Sequence, residues 1–96
     1  MEDSQIIGFL FQRSEQAIRA IQEKYGGLCR SVVSNILPDF RDVDECISDT
    51  YLRVWRSIPP QHPDRLDSYI ARIARNAALD RHDYNCASLR SSALTL

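Results

Sequence analysis

Lysine is almost missing from this sequence. Lys24 stands alone against eleven arginines in 96 residues. Long apolar runs are missing too. None approaches the roughly 20 residues that a membrane span needs, so no spanning helix is expected. The first residues, Met1-Glu2-Asp3, are acidic where a secretory leader begins basic, and a cytoplasmic chain is expected. Cysteine is scarce and poorly spaced for chemistry. Cys29, Cys46 and Cys86 form no C-x-x-C, and His62 and His82 complete no ligand set with them. Zinc and a disulfide framework are therefore not expected, and the cysteines read as small apolar residues or free thiols. No alternating run marks a strand, and no segment repeats. There is no nucleophile–base pair, phosphate-binding loop or metal spacing, so an enzyme is the poorest function class and no cofactor is expected.

What is present is an ordinary globular composition, 44% hydrophobic and 26% charged, in a chain long enough for one domain. A domain of this size buries only about two-thirds of its unfolded surface, so its stability is marginal. The net charge of −1 hides an asymmetry. Residues 1–50 carry five basic and nine acidic groups, and residues 51–96 carry seven and four, giving −4 and +3. Arginine suits bidentate recognition of phosphates and bases. An acidic half and an arginine half can hold two unlike partners.

The apolar spacing predicts an all-α, compact bundle of three to four helices with no sheet. Ser4 is a cap candidate for a short helix to about Phe11, with Ile6, Ile7 and Leu10 inward. Ser14 is the next, before a long pattern of Ala17, Ile18, Ile21, Tyr25, Leu28, Cys29, Val32 and Ile36. Gly26-Gly27 interrupts it, but the apolar phase continues across the pair, which favours one long helix stopped by Pro38. Asp42 opens a third helix that ends at Ile58, before Pro59-Pro60. A fourth is expected from about Arg65 to Tyr84, so that residues 1–84 form the domain and 85–96 a linker or disordered tail.

Two of these helices carry a second face. On the third, Val43, Ile47, Thr50, Tyr51, Val54 and Ile58 share one side. Glu45, Ser48, Asp49, Leu52 and Arg56 lie opposite. An acidic stripe around a leucine can dock a basic partner, and it is also the pattern of a solvated face. Trp55 lies on the flank between the two sides and fits the core better than the interface. On the fourth helix Leu66, Ile70, Ile73, Ala74 and Ala77 point inward, and Arg65, Ser68, Arg72, Arg75, Asn76 and Leu79 outward. Arginines a turn apart beside an asparagine can grip phosphates and read base edges.

The segment Asp42–Arg56 resembles the region 2 helix of extracytoplasmic-function sigma factors of the sigma-70 family: an acidic start, an aromatic, leucine, a basic residue, an apolar residue and tryptophan. Tyr69–Arg81, with Ala74-Arg75-Asn76 followed by Asp80-Arg81, resembles the second motif of the same region. Ser14–Ile18 with Tyr25 is similar to the family's first helix. The resemblance implies a domain that binds core RNA polymerase and promoter DNA. The first motif would dock on the clamp coiled coil of the polymerase's largest subunit, through Glu45, Ser48, Asp49, Leu52 and Arg56. The second would read and open the minus-ten element on its non-template strand, through Arg65, Ser68, Tyr69, Arg72, Arg75, Asn76, Asp80 and Arg81. The loop over residues 59–68 would capture a flipped-out base.

The family usually has glutamine where Ser48 stands, tryptophan in many members where Tyr69 stands, and arginines where His82-Asp83-Tyr84 stands. An anti-sigma factor is a further candidate partner. Complete factors of this type carry a second domain, region 4, of which this sequence shows nothing. The alternative reading is a helical interaction module, binding polymerase or an anti-sigma factor, with no promoter activity of its own.

Overall fold

In the computed structural model the chain folds into four helices: α1 (Asp3–Phe11), α2 (Gln16–Ser34), α3 (Phe40–Ser57) and α4 (Leu66–Leu94). The structure describes the backbone of residues 1–94 and the side chains of residues 1–87. Among the described residues there is no strand, and no helix is long and apolar enough to cross a membrane. Helices α2, α3 and α4 pack against one another in pairs, and α1 lies against α2.

The sequence explains where each helix starts and stops. α1 begins at Asp3, one residue before the Ser4 cap read from sequence, and Gln5 Oε1 accepts from the Glu2 N–H at 3.1 Å. α2 begins at Gln16. Ser14 Oγ accepts the Gln16 N–H at 3.3 Å, so it does bond to this first turn, from one residue outside the cap position. α2 passes unbroken through Gly26-Gly27, as the apolar phase required. α3 starts at Phe40 rather than Asp42, because Asp39 is the cap: its carboxylate accepts the Arg41 N–H at 2.8 Å. That leaves Asp42 in the first turn, where the helix dipole favours an acid. α4 does not stop at Tyr84 but continues to Leu94. Residues 85–94 contain no glycine or proline to end it. The rest of the expected tail, residues 95–96, lies outside the described residues.

The core is the set of inward positions. Ile6, Leu10, Ala17, Ile21, Cys29, Val33, Val54, Ile58, Ile70, Ala74 and Ala78 are fully shielded from solvent. Tyr51, Trp55 and Ile73, placed inward from the sequence, are half-buried and pack on the rim of this cluster. Leu28 is exposed, so the α2 stripe is narrower than the spacing implied. Thr50, the one buried polar residue among those described, is satisfied: its hydroxyl donates to the Cys46 carbonyl at 2.7 Å. Cys29 and Cys46 are buried free thiols. Burial pushes the Cys29 thiol up to about 11. α1 is tied to α2 by Asp3, which accepts from Lys24 Nζ at 2.8 Å and from the Tyr25 hydroxyl at 2.6 Å. The Lys24 ammonium, with the Tyr25 bond, holds the Asp3 carboxyl below its ordinary range.

Neither mid-helix glycine of α2 is needed for space. A Cβ on Gly27 would meet nothing within 4 Å. Gly27→Ala is therefore expected to stabilise the fold by about 1 kcal/mol, through helix propensity and a less disordered unfolded chain. Urea denaturation followed by circular dichroism measures this; a decrease in stability would show that α2 needs the glycine.

Candidate nucleic-acid interface

α3 and α4 run antiparallel, with their exposed faces turned away from the contact between them. Near the start of α3, Cys46 Sγ lies 3.7 Å from the Ala77 carbonyl. At its end, the Tyr69 hydroxyl donates to Ser57 Oγ at 2.6 Å. Ala77 sits at this contact, and Ala74 and Ala78 are buried on the same inward side of α4. Their small side chains let the two backbones approach.

The outward face of α4 carries Ser68, Arg72, Arg75, Asn76 and Leu79, all exposed. Positions three and four apart share one side of a helix, so this is a single stripe. Arg72, Arg75 and Asn76 have no ion pair or side-chain hydrogen bond among the described residues. Arg65 stands at the mouth of α4, exposed and 3.3 Å from Asp67. Hydrogen bonding from the Ser68 N–H, with help from Arg65, holds the Asp67 carboxyl below its usual range. Tyr69 is placed differently from the other residues expected to face DNA. It is half-buried, with its hydroxyl committed to Ser57, and so it fixes the start of α4 to the end of α3.

Asp80 lies at the edge of the stripe, one turn beyond Asn76, and Arg81 faces away from it. Arg81 lies nine residues beyond Arg72, about 180° around the helix. Its guanidinium bonds Asp42 at 2.9 Å and Glu45 at 3.2 Å. Asn85 Nδ2 donates to the second Asp42 oxygen at 3.0 Å. Asp80 meets Arg53 at 3.1 Å, and Arg53 in turn holds Asp49 at 2.7 Å. These residues form a clasp across the α3–α4 seam. The sequence could not reveal it, because the partners that meet across the seam are separated by more than 25 positions.

The acidic face of α3 is therefore partly neutralised from within. Of its five candidates, Glu45 and Asp49 hold arginines of this chain, while Ser48, Leu52 and Arg56 are exposed. Exposed ion pairs are worth roughly 0–1 kcal/mol, so a partner's cation can replace them at little cost. The face also extends onto α2. Ser48, Tyr51, Leu52 and Trp55 form one wall of an open groove of 580 Å³, and Glu15, Ile18, Arg19 and Gln22 form the other. The sequence reading missed the α2 wall. Its signal is the three- and four-residue spacing of Glu15, Ile18, Arg19 and Gln22 along one flank.

The chain was compared with known proteins. The family model described as sigma-70 region 2 matches residues 21–85. No curated protein and no solved structure matches the chain.

The clasp makes an asymmetric prediction. Arg81→Ala leaves Asp42, which is only 16% exposed, with Asn85 alone. It is expected to lower the thermal midpoint by several degrees. Arg72→Ala, on the solvated stripe, is expected to leave the midpoint nearly unchanged. Equal effects in thermal melts would contradict this assignment.

Proposed function

The chain belongs to the sigma-70 region 2 family, and we propose that it acts as an extracytoplasmic-function-type sigma domain that docks core RNA polymerase through α3 and reads and opens the minus-ten promoter element through α4. The observation that carries the reading is the set of unpaired groups on α4. Three of the arginines in the second half, Arg53, Arg65 and Arg81, are paired with carboxylates. Arg72 and Arg75 are not, and they share one exposed face of α4 with Asn76; Arg56, also unpaired among the described residues, stands alone on α3. Leaving guanidiniums without acids on one stripe costs the fold little in water, roughly a few tenths of a kcal/mol for like charges a turn apart. It is what a surface for phosphates and base edges requires.

In this reading Arg72 and Arg75 hold the phosphate backbone, and Asn76 reads a base edge. Arg65 and Ser68 flank the point where the loop over residues 59–68 meets the helix, and that loop receives the flipped base. Unstacking a base costs a few kcal/mol, which contacts to the extruded base and backbone offset. No group needs to be consumed or transformed, so no catalytic residue is invoked. Tyr69, Asp80 and Arg81 act from within, by holding α4 against α3. The polymerase side is the groove and its rim. Leu52 and Trp55 supply apolar area, and Glu45 and Asp49 exchange their internal arginines for basic residues of the clamp coiled coil. An anti-sigma factor covering the same groove would block that docking.

The two faces can be tested separately. Arg75→Ala with Asn76→Ala is expected to abolish promoter opening, read by permanganate reactivity of the minus-ten thymines, while binding to core polymerase stays within about twofold. Asp49→Arg is expected to weaken core binding by an order of magnitude or more, since like charges across an interface are strongly unfavourable. Promoter opening that survives the first pair would point to the alternative, an interaction module without promoter activity. Normal core binding by Asp49→Arg would remove the α3 assignment.

A further inference from the structure

Arg13 has a backbone conformation that side-chain-bearing residues avoid. Its φ is 56°, in the left-handed region, and no other non-glycine residue among those described shares it. The cause is local. Arg13 is the residue just past the cap of α1, where the Ser14 N–H bonds to the Phe9 carbonyl at 2.9 Å and the Arg13 N–H to the Leu10 carbonyl at 3.1 Å. This closure ordinarily takes glycine. Such a conformation persists only where the surroundings over-determine it.

The surroundings are the end of α3. Pro59 and Pro60 have no N–H, so the carbonyls of Trp55 and Arg56 lose the donors that a continuing helix would supply. Arg13 Nη1 fills part of that gap, donating to the Trp55 carbonyl at 2.9 Å and the Ile58 carbonyl at 2.8 Å. The guanidinium also lies over the Trp55 ring, 3.9 Å from its centre. Two residues earlier, the Phe11 ring meets His62 at 5.6 Å, in the middle of the loop. The end of α1 and the turn after it thus touch the end of α3 and the centre of the loop. Phe11 and Arg13 both lie outside the matched residues 21–85.

We propose that Arg13 is a positioning residue for the base-capturing loop: it fixes where α3 ends and the loop begins, while Phe11 steadies the loop through His62. The inference rests on the reading of that loop given above. Arg13 does not touch the extruded base. It sets the direction in which residues 59–65 leave α3, and so where the loop's side chains stand to meet the base. A loop that is misaimed still admits a base but distinguishes it poorly from the other three.

The test uses the full chain assembled with core polymerase, and a random-sequence pool of short single-stranded DNA as the probe. Bound strands are sequenced. Arg13→Gly keeps the left-handed turn, which glycine adopts without strain, and removes the side chain with its guanidinium. It is expected to reduce the enrichment of the preferred base at one position by about fivefold or more, with core-polymerase affinity within about twofold of the wild type. Phe11→Ala, which leaves Arg13 in place, is expected to weaken the same position to a smaller extent. If Arg13→Gly selects as well as the wild type, the inference is overturned and the loop reading stands. If selection and core affinity fall together, Arg13 is merely structural, and the inference is again overturned. If the wild-type complex enriches no base at any position, the loop reading itself fails and takes the inference with it.

Discussion

The close packing of α3 on α4 is the contact on which the rest of the structure depends. The inward side of α4 is slim, with Ala74, Ala77 and Ala78 all buried, and Cys46 reaches the Ala77 carbonyl. Larger side chains there would separate the helices and open the clasp of Asp42, Glu45 and Arg81. Each helix buries one face in that seam and is left with another exposed. Geometry alone therefore produces two outward surfaces, one acidic with an apolar groove beside it and one rich in arginine.

Charge pairing then separates arginines of the same type into different tasks. Arg53 and Arg81 are held by carboxylates across the seam, and Arg13 by backbone carbonyls at the end of α3. These build the molecule. Arg72 and Arg75 have no such partners among the described residues, and in the proposed reading they are the ones offered to DNA. Lysine could not substitute evenly in this scheme. Its single ammonium lacks the planar fork with which Arg81 bridges two acids and Arg13 lies over an indole ring while bonding two carbonyls.

The residues that local pattern determines were legible in the sequence, and the residues that tertiary contact determines were not. The 3.6-residue period gave α2 straight through Gly26-Gly27 and put Ile70 and Ala74 inside and Arg72 and Arg75 outside. Pro59-Pro60 marked the end of α3. The start of α3 was misplaced by two residues because Asp42, an acid of the first turn, was read as the opening, whereas Asp39 is the cap. The end of α4 was placed at Tyr84 from a thinning of apolar anchors, which does not by itself stop a helix. Among site residues, Asp80 and Arg81 were placed with the DNA-facing set by their position in a motif, and the local period gave no sign of the partners they hold on α3. Arg13 carries no local signal, since its carbonyl partners are more than 40 positions distant. The α2 wall of the groove was visible in spacing but was absorbed into the core stripe through Ile18.

The central claim is that the two backs of one helix pair face two different macromolecules. Site-specific photo-crosslinking in the assembled polymerase–promoter complex tests it most directly, with a benzophenone side chain at Leu52 in one protein and at Arg72 in another. Both positions are exposed, on α3 and α4 respectively. The predicted result is a crosslink from position 52 to the polymerase's largest subunit and from position 72 to the non-template DNA strand. A crosslink from position 72 to polymerase alone, or from position 52 to DNA, would contradict the account.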